Sequence, residues 1–541
     1  MSAIVCYFVG MYIATIPNRN SPPAILLREA FRESGKVKNR TLANLSHWPP
    51  ARVAALRRAL RGDFDHAQPA PPRLGPIFGL LYVLKSVADG LGLTAALGKS
   101  AVGKLGLFLV LARVARRGSR LSAVRWAQDH AVEEVLGLPR FDEDDLYDAL
   151  DDLCARQEKI EATLYARYLR QHTRPPRMFL YDVTSSYLEG VQNELGAFGY
   201  NRDGKKGKLQ IVIGLLSDGE GEPLAVRVMA GNTSDCTTVA DQIKILQDKF
   251  QVQDVIFVGD RGMVKSKGKK VLHDAHLHYI TALTDPQIRH LLKQGTLQLG
   301  LFHEEVCEVE AEQVRYVLRK NESEAVRQRH RLDDKLERLE EKLAARNATV
   351  REKPRCEPEA GKRELEAWAA RHKLTGLVEL KLEGRTLTAT RDEAAIEKSL
   401  ERAGCYVVTS DVAPQDLSAQ EVHDGYLSLQ KVERDFRALK TGLLEVRPIF
   451  LREEHRTRGH VLCCMLALKL TRELERKLRR RFGTTESDPH ALTLPDALAA
   501  LSSLCLLHYQ VDEKTTVTKL PQPTTNQQQI LEALGVSLPV M

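Results

Sequence analysis

The sequence predicts a mixed α/β sheet interrupted by an α+β insertion, with a mainly helical N-terminal region before it and a helical C-terminal segment after it. Short apolar runs such as MFLYDV (178–183) and DVIFVGD (254–260) are typical of buried strands, and stretches with helical periodicity alternate with them. A highly charged stretch separates two further runs, YITAL (279–283) and CYVVTS (405–410), which indicates the insertion. A chain of 541 residues accommodates about two to four domains.

Residues 1–66 are predicted to form a small β-rich segment. Apolar and polar residues alternate in stretches such as AILLREAF (24–31), and a basic helix, ARVAALRRALRG (51–62), follows. After a Pro-rich linker, residues 67–174 have helical periodicity almost throughout. This helical region either binds DNA or packs against the rest of the chain, because no recognisable helix-turn-helix pattern decides between the two.

The predicted sheet is built from two separate parts of the chain. Residues 175–289 supply the first part and residues 404–482 the second, and residues 290–403 form the insertion between them. Residues 483–541 follow as a C-terminal helical segment and a polar tail.

A stripe of leucines marks the charged helix of the insertion. Leu332, Leu336, Leu339 and Leu343 recur at i, i+4, i+7 and i+11. Such a stripe packs against one partner helix. The partner is either a second helix of the same chain, in a helical hairpin, or the same helix of a second copy.

Composition and charge narrow the class of protein. The chain has 79 Lys and Arg against 71 Asp and Glu, and this net charge of +8 permits a polyanionic partner. Its 9 cysteines contain no CxxC pair, which favours a reducing compartment over a disulfide framework or zinc knuckle. The longest apolar runs are shorter than the roughly 20 residues that a membrane span needs. We therefore expect a cytoplasmic protein without a membrane partner.

Two predicted strands end in carboxylates. One apolar strand leads into Asp182 and another ends at Asp260. An ionised Asp in a buried strand is costly unless it is paired or bound to a metal, and two on adjacent strands repel each other. Oxygen-only ligands favour Mg²⁺ or Mn²⁺, and two such ions are suited to phosphoryl displacement. The alternative for each Asp is that it caps the following turn.

A basic turn lies between these two aspartates in the sequence. The stretch GYNRDGKKGK (199–208) contains Arg202, Lys205 and Lys206, and we interpret these three residues as contacts to a phosphate backbone. The alternative is a solvated hairpin tip. Further Lys and Arg residues in the range 434–481 also fit a surface that faces DNA.

Together these stretches resemble the DDE transposases of bacterial insertion sequences, in particular the larger, insertion-bearing members of the insertion-sequence-four superfamily. The first Asp of that family lies in a stretch like YDVTSSYLEG (181–190), and the second in one like VGDRGM (258–263). The segment GNTSDCTTV (231–239) between them is also typical of the family. The resemblance covers roughly residues 170–480 as an ordered set of motifs.

The third acid of the family lies in a Y-x2-R-x3-E-x6-K helix. Tyr426, Glu433 and Lys440 match this spacing, whereas Leu429 stands at the Arg position. The resemblance implies that Glu433 joins Asp182 and Asp260 as a catalytic metal ligand. Because Leu429 replaces the family's Arg, one phosphate contact of the family is either lost in this chain or made by a neighbouring residue such as Lys431.

The resemblance also implies a fold, an activity and partners. It implies a ribonuclease-H-like sheet and an enzyme that uses two Mg²⁺ or Mn²⁺ ions to cut the ends of an insertion sequence. The freed 3′-OH would then be transferred into target DNA. The expected partners are double-stranded DNA, both terminal repeats and target, and a second copy of the chain in the synaptic complex. The expected location is the bacterial cytoplasm, in association with the nucleoid.

Two other functions compete with this interpretation. A domesticated or inactive transposase would act as a DNA-binding or regulatory protein, and loss of one of the three acids would favour it. A ribonuclease-H-like host nuclease or resolvase would lack both the GNTSD segment and the insertion. All three acids, the GNTSD segment and the insertion are present in the sequence.

The stretch KVERDFRALK (431–440) contains two acids, and helical phasing alone does not choose between them. Glu433 shares its flank of the predicted helix with Tyr426, Arg437 and Lys440, a set suited to binding a phosphate beside a metal ligand. Asp435 lies on the other flank, in a setting typical of a packed or solvated edge. We therefore predict that Glu433 is catalytic and that replacing Asp435 costs little metal-dependent activity.

Overall fold

The structure is a computed structural model, and its described residues form two compact units. The smaller unit contains β1–β3, α1, β15 and β16, and the larger contains most of the remaining elements, whose bounds follow. None of the helices in the described part of the chain is long and apolar enough to cross a membrane. The described residues are 7–19, 21–33, 35–62, 71–172, 174–245, 255–303, 306–312, 314–440, 444, 446–447, 449–484, 488, 491–510 and 515–540.

The N-terminal segment is β-rich, as its alternating sequence predicts. Its first three strands pair in sequence order as an antiparallel sheet, and a helix with Pro at its first turn follows. A short strand comes after the linker. The elements are β1 (Tyr7–Ile16), β2 (Ala24–Glu33), β3 (Lys36–Asn44), α1 (Pro50–Leu60) and β4 (Arg73–Ile77).

Seven helices of the described chain, α2 to α8, lie between β4 and the large sheet, in the region where the sequence predicts helices. Ser100, Ser119 and Asp142 each cap the helix that follows by accepting hydrogen bonds from its first backbone N–H groups. The helices are α2 (Gly79–Leu91), α3 (Leu93–Leu97), α4 (Ala101–Ala115), α5 (Arg120–Gln128), α6 (Val132–Leu136), α7 (Glu143–Ala155) and α8 (Gln157–Gln171).

The predicted first part of the sheet alternates strands and helices. MFLYDV lies in the first of these strands and DVIFVGD contains the fourth. The elements are β5 (Met178–Tyr187), β6 (Gln210–Asp218), β7 (Pro223–Ala230), α9 (Asp235–Lys244), β8 (Ile256–Gly259), α10 (Ser266–Asp274), β9 (His278–Ala282) and α11 (Asp285–Lys293).

Two strands inside the predicted insertion, residues 290–403, belong to the large sheet and not to a separate body. Arg315 explains why they were missed: it is a charged residue in a strand, yet it is buried and its guanidinium bonds Glu308 and two backbone carbonyls. The elements, after a 3₁₀ helix at Leu299–His303, are β10 (Cys307–Ala311), β11 (Val314–Lys320), α12 (Glu322–Glu352), α13 (Pro358–Arg371), β12 (Val378–Glu383), β13 (Thr386–Arg391), α14 (Glu393–Leu400) and β14 (Cys405–Ser410).

The leucine stripe of α12 packs within the chain. Leu336 and Leu339 are buried against Leu365 of α13, Leu387 of β13 and Ile396 of α14. Of the two alternatives for this stripe, the structure therefore shows the partner within the same chain.

The C-terminal part contains the helix with the predicted third acid, a long helix and a strand pair. The sequence prediction of a helical segment at 483–541 missed the two strands, which form a three-stranded sheet with β4. The elements are α15 (Ala419–Leu427), α16 (Leu429–Lys440), α17 (Glu454–Phe482), α18 (Leu494–Ser502), β15 (Cys505–Gln510), β16 (Thr516–Lys519) and α19 (Thr525–Leu534).

The large sheet has 8 strands in the order β10-β11-β14-β9-β8-β5-β6-β7. β8 runs parallel to both β5 and β9, and the other neighbours are antiparallel. The prediction of a mixed α/β sheet is therefore confirmed. The two central strands of the site, β5 and β8, are nearly fully buried, because helices cover the sheet.

α17 is the central helix of the main core. Its residues from His460 to Thr471 are all buried, and it contacts α2, α4, α7, α19 and β7. α4 is buried almost throughout and packs against α7 and α17. The helical region that precedes the sheet therefore packs against the core, which was one of its two predicted roles. Its other predicted role, DNA binding, stays a prediction.

Candidate active site

Asp182 and Asp260 come from adjacent parallel strands. β5 and β8 pair with Tyr181 opposite Gly259, and the residue that follows each member of this pair is one of the two aspartates. Asp182 Oδ1 accepts a hydrogen bond from the backbone N–H of Val183 at 2.8 Å. Asp260 Oδ1 likewise accepts from the N–H of Arg261 at 2.7 Å. The two aspartates are therefore neighbours at the point where β8 ends, as the sequence predicts, although Asp182 lies inside β5, which continues to Tyr187, and does not end its strand.

Glu433 reaches the same place from α16. Its helix contacts β5 and buries Val432, Phe436 and Leu439, while Glu433 itself is exposed. The pKa of Asp182 is raised to about 7, chiefly by burial and also by the negative charges of Asp260 and Glu433, while the Val183 N–H and Arg202 oppose the shift. The charges of Asp260 and Glu433, from two other elements, thus act on Asp182.

Tyr426 lies beside two of these acids. Its hydroxyl hydrogen-bonds Asp260, and burial together with the charges of Asp260 and Glu433 raises the pKa of the phenol. The tyrosine therefore stays neutral and donates to Asp260. The predicted single helix that carries Tyr426 and Glu433 is broken at Ser428, which ends α15 one residue before α16 begins.

Asp235 is a further acid at this site that the sequence reasoning did not single out. It lies in the GNTSD segment. Its Oδ1 pairs with Nη2 of Arg202 at a distance of 2.5 Å. A Cβ atom at Gly262 would be 3.7 Å from Asp235 Oδ2 and 3.9 Å from Asp260 Oδ2. Gly262 therefore leaves space between the two carboxylates. Its position in a segment typical of the family was the sequence signal that could have identified it.

The basic turn is held against the site at one end and exposed at the other. Arg202 donates its backbone N–H to Ser185 Oγ at 3.1 Å, and its guanidinium lies 5.4 Å from the ring of Tyr200. Lys205 and Lys206 are exposed, and the ammonium of Lys205 is 5.8 Å from the ring of Tyr187. Of the three predicted phosphate contacts, the two lysines have solvent-facing side chains, whereas Arg202 is engaged by Asp235.

Lys440 is engaged in an internal ion pair. Asp203, only 2% exposed, accepts from Lys440 Nζ and Arg447 Nη1, each at 2.7 Å. Burial lowers the pKa of Lys440, and the bond to Asp203 opposes this shift. The sequence reasoning missed Asp203 and Arg447, although an acid inside a basic turn was a visible signal. In this structure Lys440 positions α16 against the turn instead of facing solvent.

Arg437 borders a large cleft on the other side of α16. The cleft has a volume of about 1360 Å³, and Arg434, Arg437 and Arg480 contribute to its lining. Tyr426, Arg437 and Lys440, predicted to surround Glu433 as one set, therefore occupy three different surroundings. Only Tyr426 is placed directly beside the acids.

Asp435 lies in a buried ion pair and is therefore a poor control for stability, while its small effect on metal-dependent activity stays a prediction. It is buried, and its Oδ2 accepts from Arg472 Nη1 of α17 at 2.7 Å. Burial raises the pKa of Asp435 to about 6, although Arg472 opposes this shift. The pair joins α16 to α17. Replacing Asp435 would leave the charge of Arg472 uncompensated and would lower the free energy of unfolding by several kcal/mol. Asp334, an exposed residue of α12, is a better control.

The donor chemistry of the site fits a divalent cation. In the described part of the chain, no three His, Cys, Asp or Glu side chains already form a metal-binding cage. However, Asp182, Asp260 and Glu433 offer only oxygen atoms, and the charges of Asp260 and Glu433 disfavour ionised Asp182, a conflict that a hard cation removes. Ligand sets of this kind are typical of enzymes that transfer phosphoryl groups.

A mixed sheet that carries carboxylates on adjacent parallel strands is a setting in which a divalent cation could support phosphoryl transfer. Residues 173–470, more than half of the chain, match the family model "Transposase DDE domain", and the chain therefore belongs to the DDE transposases. Residues 13–72 match "IS1634 family transposase, N-terminal domain". The predicted family and the predicted function, DNA transposition, are confirmed, and a domesticated regulatory protein is not favoured.

Two solved structures are similar at low identity. The piggyBac transposase synaptic complex with hairpin DNA is 8% identical, with a TM-score of 0.35 over 74% of this chain and 69% of that chain. The Mos1 transposase paired-end complex with left transposon end is 11% identical, with a TM-score of 0.15 over 30% of this chain and 59% of that chain. No curated protein matches the chain significantly.

Proposed function

We propose that this chain cuts DNA at the ends of an insertion sequence and joins the freed 3′-OH to target DNA, with Asp182, Asp260 and Glu433 as the catalytic acids. One observation carries the proposal: these three acids come from β5, the end of β8 and α16, yet the charges of two of them act on the third. We propose that the mixed sheet that carries these acids is ribonuclease-H-like.

The three acids would bind Mg²⁺ or Mn²⁺, and we propose two ions. Divalent cations at such a site stabilise the charge on the attacking and leaving oxygens of a phosphodiester. The other residues of the chain hold the ligands in place. Tyr426 donates to Asp260 and orients its carboxylate, and Asp203 fixes Lys440 near the C-terminal end of α16, the helix that carries Glu433.

Double-stranded DNA, both the terminal repeats and the target, is the proposed substrate. Lys205 and Lys206 are exposed on the turn beside the acids, where they can contact backbone phosphates. Tyr200 on the same turn is 80% exposed and offers an aromatic face next to these cations. Two element ends must be cut together, so we propose that the chain acts as a homodimer in the synaptic complex.

The change Glu433→Gln tests this function. We expect it to lower the rate of Mg²⁺-dependent cleavage of the element's own end DNA by about a thousandfold, because several kcal/mol of transition-state stabilisation are lost with one ligand. DNA binding in the absence of divalent cations should change little, since Glu433 is an acid and contributes no attraction to phosphate. Strand-specific cleavage of labelled end DNA and a binding titration in EDTA measure the two quantities.

Glu341→Gln is the matched control for this change. Glu341 is an exposed glutamate on a helix, in the segment remote in sequence from all three acids, and the chemical change is the same. It should cleave at the wild-type rate. Cleavage by Glu433→Gln at a rate similar to that of Glu341→Gln would remove Glu433 from the catalytic site.

A further inference from the structure

Two buried arginines lie outside the acidic site and have no acidic partner among the described residues. Arg113 lies in the last turn of α4 and Arg120 begins α5, and each is only 9% exposed. The Nε atom of Arg120 is buried without a hydrogen-bond partner, and its guanidinium lies 5.3 Å from the ring of Tyr147. A buried guanidinium without a counter-ion costs free energy, so these side chains require an explanation.

Both arginines line a small cavity of about 140 Å³. A third arginine, Arg447, lines it as well, and no Asp or Glu is among the described residues that border it. Arg447 pairs with Asp203, but Asp203 also neutralises Lys440, so one acid serves two cations. The cavity therefore carries an excess of positive charge.

His460 reports this positive field. It is completely buried at the wall of the cavity, where burial first and then the charges of Arg113 and Arg120 lower its pKa well below the usual value. His460 is therefore neutral. The only charged side chains that border the cavity, in the described part of the chain, are the three arginines.

The cavity is open to solvent, and the N-terminus of a helix lies at its wall. Gly118, Ser119 and Phe450 border it and are exposed, and Phe450 is 65% exposed. The first turn of α5, a helix of 9 residues, begins at Arg120 with Ser119 as its cap, so the positive end of the helix dipole adds to the field. Guanidinium groups bind the oxygen atoms of phosphate in pairs, which favours phosphate over a monovalent halide.

We propose that the cavity between α4, α5 and residues 447–451 binds a phosphate group, and that the group belongs to the backbone of the DNA substrate. This inference rests on the proposed function for the identity of the substrate. Arg447 links the cavity to Asp203 and Lys440, and Lys440 is the last residue of α16, the helix that carries Glu433. A phosphate in the cavity would therefore fix DNA relative to the proposed catalytic acids. A free phosphate ion has the same chemistry and is distinguished below.

The first measurement is the melting temperature in inorganic phosphate at constant ionic strength. We expect a saturable rise for the wild type, because a ligand that binds only the folded protein stabilises it. Arg113→Met and Arg120→Gln should lower the apparent phosphate affinity by about tenfold or more, since each removes charge-assisted hydrogen bonds. Arg113→Met should also melt at least as high as the wild type without phosphate, because it removes a buried charge that has no counter-ion.

Arg125→Gln is the matched control, because Arg125 is an exposed arginine of α5 that does not border the cavity. It should keep the wild-type phosphate response. The absence of a saturable rise in the wild type, or an equal rise in both cavity variants and the wild type, would overturn the site.

The second measurement identifies the source of the phosphate. Binding of duplex end DNA is titrated in EDTA at several salt concentrations. If a backbone phosphate occupies the cavity, both variants should reduce the slope of log affinity against log salt by about 0.9. An unchanged slope together with the phosphate effect would assign the site to free phosphate and overturn its role in DNA binding. Neither the melting temperature nor the DNA titration requires cleavage or a metal. Both would therefore still test the cavity if the proposed catalytic function were wrong.

Discussion

Replacing Asp182 with asparagine is expected to lower the rate of DNA end cleavage by about a thousandfold or more and to raise the melting temperature of the metal-free protein. The loss of activity follows from the loss of a proposed metal ligand. The gain in stability follows from the same carboxylate, because it is held near Asp260 and Glu433 in a setting that disfavours its charge. Such opposition between stability and activity is typical of catalytic sites.

The gain in stability should depend on pH in a defined direction. The pKa of Asp182 is raised to about 7 in the folded chain, whereas an unfolded Asp has a pKa of about 3.9. The folded state therefore binds more protons, and wild-type stability decreases as pH rises from about 4 to about 7. Asparagine does not titrate, so the difference between variant and wild type should grow over this range to roughly 4 kcal/mol.

Thermal denaturation in EDTA across this pH range measures the effect, with Asp334→Asn as the control. Asp334 is exposed on α12, so its replacement should give a constant, small difference. A stability difference for Asp182→Asn that does not change with pH would contradict the raised pKa of Asp182. Cleavage at the wild-type rate would contradict its role in catalysis.

Replacing Gly459 with valine is expected to destabilise the larger unit by about 3 kcal/mol or more. Gly459 lies in α17 where that helix passes α7, and a Cβ atom there would overlap the carbonyl oxygen of Leu150. The obstacle is the backbone of a buried helix, which cannot move aside as a flexible side chain can. α17 would have to separate from α7, and the core that supports the sheet would loosen.

Urea denaturation measures this loss, and Gly90→Ala is the control. Gly90 also lies in a helix, α2, but nothing is within 4 Å of the position of its Cβ. Alanine at position 90 should be neutral or slightly stabilising, because it has the higher helix propensity. Equal stability of Gly459→Val and the wild type would show that α7 and α17 do not approach each other as closely as described.

The elements that sequence patterns predicted best are those whose neighbours are close in sequence. The apolar runs at 178–183 and 254–260 predicted β5 and β8, with Asp182 inside the first strand and Asp260 directly after the second. The leucine stripe predicted a packed helix, although it did not identify the partner. Helical phasing placed Glu433 and Asp435 on opposite flanks, and the structure shows the first exposed and the second buried.

Contacts between distant residues could not be predicted from the sequence. The joint pairing of Asp203 with Lys440 and Arg447 brings together residues more than 200 positions apart, and no local pattern encodes it. The pairing of Asp435 with Arg472 is of the same kind. Lys440 therefore looked like a phosphate contact, and Asp435 like a dispensable acid, until their partners were known.

The central claim is that Asp182, Asp260 and Glu433 together form one divalent-cation site. The most direct test is calorimetric titration of DNA-free protein with Mn²⁺, comparing the wild type with Asp182→Asn, Asp260→Asn, Glu433→Gln and the control Glu341→Gln. We expect each of the three site variants to bind Mn²⁺ about tenfold more weakly or worse, and the control to bind as the wild type does. Equal Mn²⁺ affinity in the wild type and all three site variants would contradict the claim.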